Sequence, residues 1–319
     1  MPFIEKSSYT TPPLFQFNGH LQTIAASFRK IAGITYERER ILTPDDDFLD
    51  LDWIDNKGKK LLVLTHGLEG DSSRPYIKGM AKLFSAHGYD ILAWNCRSCS
   101  GELNRQFRMY NHGDVDDIDL VVETALKRKN YEDVTLIGFS MGGNISLKYA
   151  AVKSPPSVKK VIAFSAPLEM RTSTMILDTP SNWLYKNRFQ SMLMPKIVQK
   201  ALLFPDKINM AVVKKAKDWL QELETFFCTI NGYTSLDDFF EKGSALNFIP
   251  DLKIPSLIVQ AQNDPISTPE CTPIDLARKH KFIHLEAPAN GGHCGFMMRG
   301  EKEHSWAERR ALEFTRQTH

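Results

Sequence analysis

The chain has 319 residues, of which 42% are hydrophobic and 24% charged, proportions that are typical of globular proteins and exclude general disorder. Its 40 Lys and Arg residues and 38 Asp and Glu residues are spread along the chain and leave a formal charge of +2. This balance argues against a nucleic-acid-binding protein, which concentrates basic residues on one face.

No secretory signal is visible in the first 30 residues. No run approaches the roughly 18 apolar residues of a membrane-spanning helix, which leaves peripheral membrane contact open. The five cysteines are an odd number in a chain long enough to build its own core. We therefore expect reduced thiols and a cytoplasmic location.

The first predicted elements are two antiparallel strands in the segment Gly33 to Asp55. Apolar and acidic residues alternate from Leu49 to Trp53, the pattern of a strand buried on one face. The sequence from Thr43 to Asp47 predicts the turn between the two strands.

Six short apolar runs follow, each accompanied by a glycine-bearing loop and a helical stretch. This alternation predicts parallel strands that are buried on both faces and joined by helices in one sheet. The runs are Leu61–Thr65, Tyr89–Trp94, Val134–Ile137, Val158–Phe164, Ser256–Ala261 and Phe282–Leu285.

The interval between Pro167 and Pro250 has helical periodicity without a convincing buried strand. It is far longer than an ordinary crossover connection, so we expect a helical insertion that covers the strand ends as a lid. One stretch of it, 182–204, carries too many apolar side chains for a single narrow stripe, and some of these are expected to form a wall for the substrate. The candidates for this wall are Trp183, Phe189, Met192 and Met194.

A candidate nucleophile lies in Gly138-Phe139-Ser140-Met141-Gly142, between an apolar run and a predicted helix. A strand-to-helix turn this tight strains the serine backbone and exposes its Oγ, and only glycines leave room on either side. The positive end of the helix also favours an oxyanion developing there.

A serine nucleophile needs a general base and an acid that orients it, which in this arrangement follow in the order Ser, acid, His. Asp264 comes after the run ending at Ala261, and His293 lies in Gly291-Gly292-His293-Cys294-Gly295 after the next run. Both follow strand ends, the edge of a parallel sheet where ligands bind. The sequence therefore predicts a triad of Ser140, Asp264 and His293.

An oxyanion hole requires backbone N–H groups fixed before the reaction. Met141, directly after the nucleophile, is expected to supply one of them. The second is assigned to Leu68 in His66-Gly67-Leu68-Glu69-Gly70, because the residue after the His-Gly pair usually donates. His66 is expected to brace this loop.

From Leu61 onward the chain resembles the α/β-hydrolase superfamily, and more narrowly the YheT-like hydrolases, which include the animal ABHD lipases and yeast alcohol acyltransferases. The narrower resemblance rests on three groups of residues: Asn18-Gly19-His20-Leu21-Gln22-Thr23; His66–Gly70 with Pro75-Tyr76; and the stretch from Arg97 through Gly101-Glu102 to Asn104-Arg105. It departs from the family pattern at Arg97-Ser98-Cys99 and Asn111-His112-Gly113, which puts fine substrate preference in doubt.

This resemblance implies an α/β fold of the α/β-hydrolase type, with a mostly parallel sheet flanked by helices. The long helical interval gives the lid insertion, 168–250. The remainder divides into an N-terminal arm, 1–32, packed on the domain, and a core made of 33–167 and 251–319. The implied activity is cleavage of carboxylic esters with short- to medium-chain acyl groups, or of lipid esters, without a metal or organic cofactor.

Other functions remain open at this point. The same triad could transfer an acyl group to an alcohol if water were excluded from the second step. A non-catalytic scaffold on this fold would usually have lost a triad residue. Cys96 and Cys99 form a C-x-x-C pair, but a zinc site would need further ligands at a recognisable spacing. No nucleic-acid partner is expected.

Overall fold

A computed structural model describes residues 3–215, 218–301 and 303–317. Its strands are β1 (Phe3–Ile4), β2 (Glu37–Leu42), β3 (Phe48–Ile54), β4 (Lys60–Thr65), β5 (Tyr89–Asn95), β6 (Asp133–Phe139), β7 (Val158–Phe164), β8 (Ser256–Val259) and β9 (Ile283–Glu286). They form one sheet in the order β1-β9-β8-β7-β6-β4-β5-β3-β2. All neighbouring pairs are parallel except β2 with β3 and β3 with β5.

The mostly parallel sheet predicted from the apolar runs is confirmed, with strand ends that differ by one or two residues. In β4, Leu61 and Val63 belong to one hydrophobic core while Leu62 and Leu64 belong to the other, because successive strand side chains point to opposite faces. A parallel sheet flanked by helices buries both of its faces.

The expectation that the strand from Leu49 to Trp53 is buried on one face only is wrong. Asp50 and Asp52 of β3 are 2% and 1% exposed. Their carboxylates accept hydrogen bonds of 2.7 Å from Arg40 and Arg38 on β2, respectively. A buried charge is tolerated when it is paired, and these ion pairs let β3 lie inside the sheet.

Helices pack on both faces of the sheet and fill the interval between β7 and β8. The helices are α1 (Gly19–Ser27), α2 (Pro75–Ser85), α3 (Asp116–Arg128), α4 (Met141–Val152), α5 (Met170–Leu177), α6 (Trp183–Leu203), α7 (Met210–Lys215), α8 (Trp219–Glu224), α9 (Leu236–Gly243), α10 (Ile274–Lys279) and α11 (Trp306–Arg316). The core that contains Leu62 and Leu64 of β4 includes residues of α2 and α11, and the opposite core includes residues of α3, α4 and the helices after β7.

Between β7 and β8 the described residues contain helices and turns but no strand. The stretch predicted at 182–204 is the single long helix α6. A π-helical turn, Thr225–Ile230, follows α8 directly. The assignment of 168–250 as a lid stays a prediction.

The N-terminal segment runs along the domain. Its first strand, β1, pairs in parallel with β9, which the sequence did not reveal. The helix α1 begins at Gly19 because the Asn18 side chain accepts a hydrogen bond of 2.9 Å from the Leu21 N–H.

Candidate active site

Ser140 occupies a strained turn between β6 and α4, with φ of 52° and ψ of −123°. The glycines around it are required by close backbone approach. A Cβ at Gly142 would lie 2.2 Å from the carbonyl oxygen of Thr65, and one at Gly138 would lie 2.1 Å from that of Gly142. No side chain fits at either position, so the turn depends on both glycines.

Asp264 and His293 meet beside this turn. The Nδ1 atom of His293 lies 2.8 Å from Oδ2 of Asp264. The other carboxylate oxygen accepts a hydrogen bond of 3.0 Å from the N–H of Ile266, which fixes the carboxylate plane. The structure thus brings the three predicted triad residues to one edge of the sheet, where Ser140 and His293 line the same two cavities.

The electrostatics of His293 are set by burial and by its neighbours. Burial disfavours the imidazolium, but the Asp264 carboxylate, together with Cys294, outweighs it and raises the pKa of His293 well above its usual value. Asp264 therefore does more than hold the ring in place, because it stabilises the charge that the ring acquires when it takes a proton.

The loops that carry the acid and the histidine are held by α1. Gln22 is fully buried, and its Oε1 accepts hydrogen bonds from Asn263 Nδ2 at 3.0 Å and from the Gly291 N–H at 2.7 Å. Thr23 Oγ1 accepts one of 2.8 Å from the N–H of His293 itself. The sequence analysis gave the Asn18–Thr23 motif no part in catalysis. The signal that could have indicated a positioning role is the pair of adjacent hydrogen-bonding side chains, Gln22 and Thr23, in a motif already singled out by the family resemblance.

The two predicted oxyanion donors also lie at this edge. Met141 is the first residue of α4 and is fully buried, while Leu68 lines both cavities beside Ser140. Within the described parts of the chain, no hydrogen bond occupies the backbone N–H of either residue. Both N–H groups are therefore available to a ligand.

His66 braces the loop that carries Leu68. Its Nε2 accepts a hydrogen bond of 3.0 Å from the Cys96 N–H, so its Nδ1, 2.8 Å from the Gly67 carbonyl oxygen, carries the proton. Complete burial lowers the pKa of His66 to about 4. A neutral imidazole with both nitrogens engaged holds the loop and has no capacity left for proton transfer.

The Arg97 motif builds a buried ionic network away from the triad. The Arg97 guanidinium, 1% exposed, pairs with Asp117 and Asp47, each at 2.8 Å, and with Asp45 at 3.0 Å. Asn104 donates to the same Asp47 carboxylate. These contacts anchor the loops after β2 and β5, which explains the motif structurally.

Two cavities meet at Ser140. The smaller, of about 50 Å³, extends under the helices between β7 and β8, and none of its lining residues is Asp, Glu, Lys or Arg. The larger, of about 480 Å³, has Arg74, Arg188 and Glu69 in its wall. The residues common to both are Leu68, Ser140, Phe189, Ile266 and His293.

The four candidate wall residues of α6 separate into two pairs. Phe189 lines both cavities and Met192 lines the larger one. Trp183 is 60% exposed, and Met194 packs against the hydrophobic core, so neither lines these cavities and their assignment to the wall is corrected. The reason is rotational: α6 is apolar on several sides, and sequence does not tell which side faces Ser140.

No helix in the described parts of the chain is both long enough and apolar enough to span a membrane.

Comparison with known proteins shows which proteins this chain is similar to. A family model described as the alpha/beta hydrolase fold matches residues 60–213. The chain is 26% identical over 288 residues to the putative esterase YheT of Escherichia coli, covering 88% of this chain and 84% of that protein. It is 28% identical over 308 residues to the mouse phospholipase ABHD3, covering 93% of this chain and 74% of that protein.

Among solved structures, the Pyrococcus furiosus esterase Pf2001 aligns with a TM-score of 0.60 at 16% identity, covering 90% of this chain and 94% of that one. This likeness supports the fold. The family match and the sheet order show the α/β-hydrolase fold, and the sequence relatives, a putative esterase and a phospholipase, support a hydrolase of the YheT/ABHD type.

Proposed function

We propose that the protein hydrolyses carboxylic esters through an acyl-enzyme on Ser140, with His293 as general base and Asp264 as its orienting acid. The observation that carries this proposal is the 2.8 Å contact between His293 Nδ1 and Asp264 in a site that Ser140 also lines. The printed names of the relatives, an esterase and a phospholipase, favour an ester as substrate.

The proposed reaction has two halves. Ser140 Oγ attacks the ester carbonyl carbon while its proton passes to Nε2 of His293, and the carbonyl oxygen becomes an oxyanion held by the N–H groups of Leu68 and Met141. The C–O bond to the alcohol then breaks, and the His293 proton goes to the departing oxygen. Water, deprotonated by His293, attacks the acyl-enzyme, and the acid leaves as Ser140 regains its proton.

The two cavities suggest how the ester is oriented. We place the acyl group in the smaller cavity, because its wall carries no ionic side chain other than the catalytic histidine. The larger cavity, with three arginines and two glutamates in its wall, suits the alcohol part of the ester. A volume of about 50 Å³ favours the short end of the short- to medium-chain range.

The proposed domain roles follow from this placement. Segment 168–250 acts as the lid, since α5, α6 and α8 contribute Met170, Phe189 and Trp219 to the smaller cavity. Segment 1–32 acts as an arm that holds the acid and histidine loops through Gln22 and Thr23. The core is formed by 33–167 and 251–319.

The test is Ser140→Ala, with hydrolysis of p-nitrophenyl butyrate and labelling by a fluorophosphonate probe as readouts. Loss of a triad nucleophile costs about 10⁴- to 10⁶-fold in turnover, so we expect near-complete loss of activity and of labelling. Ser146→Ala is the matched control, because Ser146 lies on the same helix α4 and lines neither cavity. A folded Ser140→Ala protein that keeps a tenth of wild-type activity would overturn the proposal.

A further inference from the structure

The smaller cavity is apolar in most of its wall, but two of its lining residues carry a buried nitrogen atom that lacks a hydrogen-bond partner. Within the described residues, Nδ1 of His112 and Nε1 of Trp219 are buried and make no hydrogen bond. His112 is 7% and Trp219 2% exposed, and both residues line the cavity that Ser140 lines. A buried polar atom without a hydrogen-bond partner is destabilising, so two of them on residues that line one cavity point to a ligand.

Both rings are held firmly in place. The His112 ring packs edge-on against Phe227 and Phe239, with centroid distances of 5.9 and 6.0 Å. Its backbone carbonyl accepts a hydrogen bond of 2.9 Å from Asn144 Nδ2. Trp219 starts α8 directly after Asp218, whose side chain caps the helix.

The chemistry of the two nitrogens limits which kind of ligand atom can pair with them. An indole N–H can only donate, so the ligand must present an acceptor, which excludes an ammonium group. Burial lowers the pKa of His112 to about 3, so the imidazole is neutral. Neutral groups in an apolar cavity do not compensate a buried carboxylate, which excludes an acid. An uncharged oxygen remains, either a hydroxyl or a keto group.

We propose that the smaller cavity recognises an acyl group that carries a hydroxyl or keto oxygen, through Trp219 Nε1 and His112 Nδ1. This inference rests on the proposed function, since it takes the acyl-enzyme on Ser140 as given. A hydroxyl accepts from the indole and donates to the imidazole when Nδ1 is unprotonated, and a keto oxygen accepts from the indole. The volume of about 50 Å³ limits the acyl group to a few carbon atoms.

Water is the competing occupant, because a cavity of this size with some polar groups in its wall can hold it. A plain alkyl chain would displace this water and leave both nitrogens unpaired, whereas an oxygenated chain would replace its hydrogen bonds. If the cavity recognises an acyl oxygen, the enzyme should prefer an oxygenated acyl group to an alkyl group of the same shape. If the cavity only holds water, it should show no such preference.

The experiment compares p-nitrophenyl 3-hydroxybutyrate with p-nitrophenyl 3-methylbutyrate, which differ by a hydroxyl in place of a methyl group. For the wild type we expect kcat/KM to be about tenfold higher for the hydroxy ester. Trp219→Phe, which removes the N–H and keeps an aromatic ring, should lower this ratio, and His112→Phe should lower it as well. Leu223→Met, in the same wall without a buried nitrogen, should keep the ratio of the wild type.

A wild-type ratio near one, with both esters hydrolysed, would overturn this inference and leave the proposed function intact. It needs no variant and so does not depend on how well Trp219→Phe folds. Unchanged ratios in both folded variants would overturn it equally. Failure of the proposed function would look different, because neither ester would be cleaved and the fluorophosphonate probe would not label Ser140.

Discussion

The two regions that surround Ser140 differ in what fixes their geometry. At the sheet edge, backbone contacts leave no freedom, since even a methyl group at Gly142 would meet the Thr65 carbonyl oxygen at 2.2 Å. In the helices between β7 and β8, side chains set the geometry. Phe189 forms part of both cavity walls, whereas Trp183 of the same helix is 60% exposed.

Polar contacts join the two regions at a few points. Lys196 of α6 pairs with Glu69 at 2.6 Å, one residue beyond the proposed oxyanion donor Leu68. The Tyr185 hydroxyl of α6 lies 3.1 Å from Nδ1 of His20 on α1. From this comparison we expect the residues at the sheet edge to determine the rate of the chemical steps. The helices between β7 and β8 should determine which substrate is accepted. Three substitutions test this division.

Asp264→Asn should give the largest effect among the three. Turnover should fall by about 10³- to 10⁴-fold, because the amide neither holds the reactive tautomer of His293 nor stabilises its charge. The base must be neutral, so kcat/KM of the wild type rises as pH passes upward through the raised pKa of His293. Without the carboxylate this pKa falls, and the rise should move to lower pH.

The measurement is a kcat/KM profile across pH for both proteins. Asp275→Asn serves as the control, because the Asp275 side chain on α10 is 91% exposed and lines neither cavity. An Asp264→Asn enzyme whose turnover stays within tenfold of the wild type would place the orienting acid elsewhere.

Thr23→Val tests whether the N-terminal segment helps to fix the geometry of the catalytic residues at the sheet edge. The change keeps the shape of the side chain but removes the acceptor for the His293 N–H, which now bonds to Thr23 Oγ1 at 2.8 Å. We expect kcat to fall by about tenfold with little change in KM, since the histidine loop loses its support while valine fills the place of Thr23 in the wall of the larger cavity.

Thr23→Ser is the matched variant, because it restores the hydroxyl and should recover most of the lost turnover. The rate of fluorophosphonate labelling, which needs no substrate, should likewise be highest for the wild type, lower for Thr23→Ser and lowest for Thr23→Val. Equal kcat values for the valine and serine variants would show that Thr23 only packs.

The features predicted best from the sequence are those that short stretches of the chain determine by themselves. An apolar run, a glycine turn and the order Ser, acid, His are local or nearly local signals, and they led to the strands and to Ser140, Asp264 and His293. Pairing of β1 with β9 and the burial of Asp50 against Arg40 depend on partners that local patterns do not identify. The contact between Thr23 and His293 spans 270 residues and escaped for the same reason.

The helices between β7 and β8 were predicted as elements but not in their orientation. A helix that is apolar on several sides can bury any of them, and packing against the rest of the domain decides which. That is why Phe189 and Met192 reach a cavity while Met194 packs into the core. Unpaired nitrogens on His112 and Trp219 became visible only when burial and hydrogen bonds were known.

Phe189→Ala should give the smallest effect on rate and the clearest one on substrate choice. Phe189 lines both cavities next to Ser140, so its removal widens the passage between them. Each additional methylene that becomes buried contributes about 0.8 kcal/mol, roughly a threefold to fourfold gain in kcat/KM. We therefore expect the optimum in a series of p-nitrophenyl esters to shift to longer acyl chains.

Trp183→Ala on the same helix should leave the optimum in place, because the Trp183 side chain lies in neither wall and is 60% exposed. If both variants shift the optimum equally, α6 acts through its overall stability and not through the wall that Phe189 forms. If neither shifts it, the helices do not select the acyl chain, and the division of labour between sheet edge and helices is wrong.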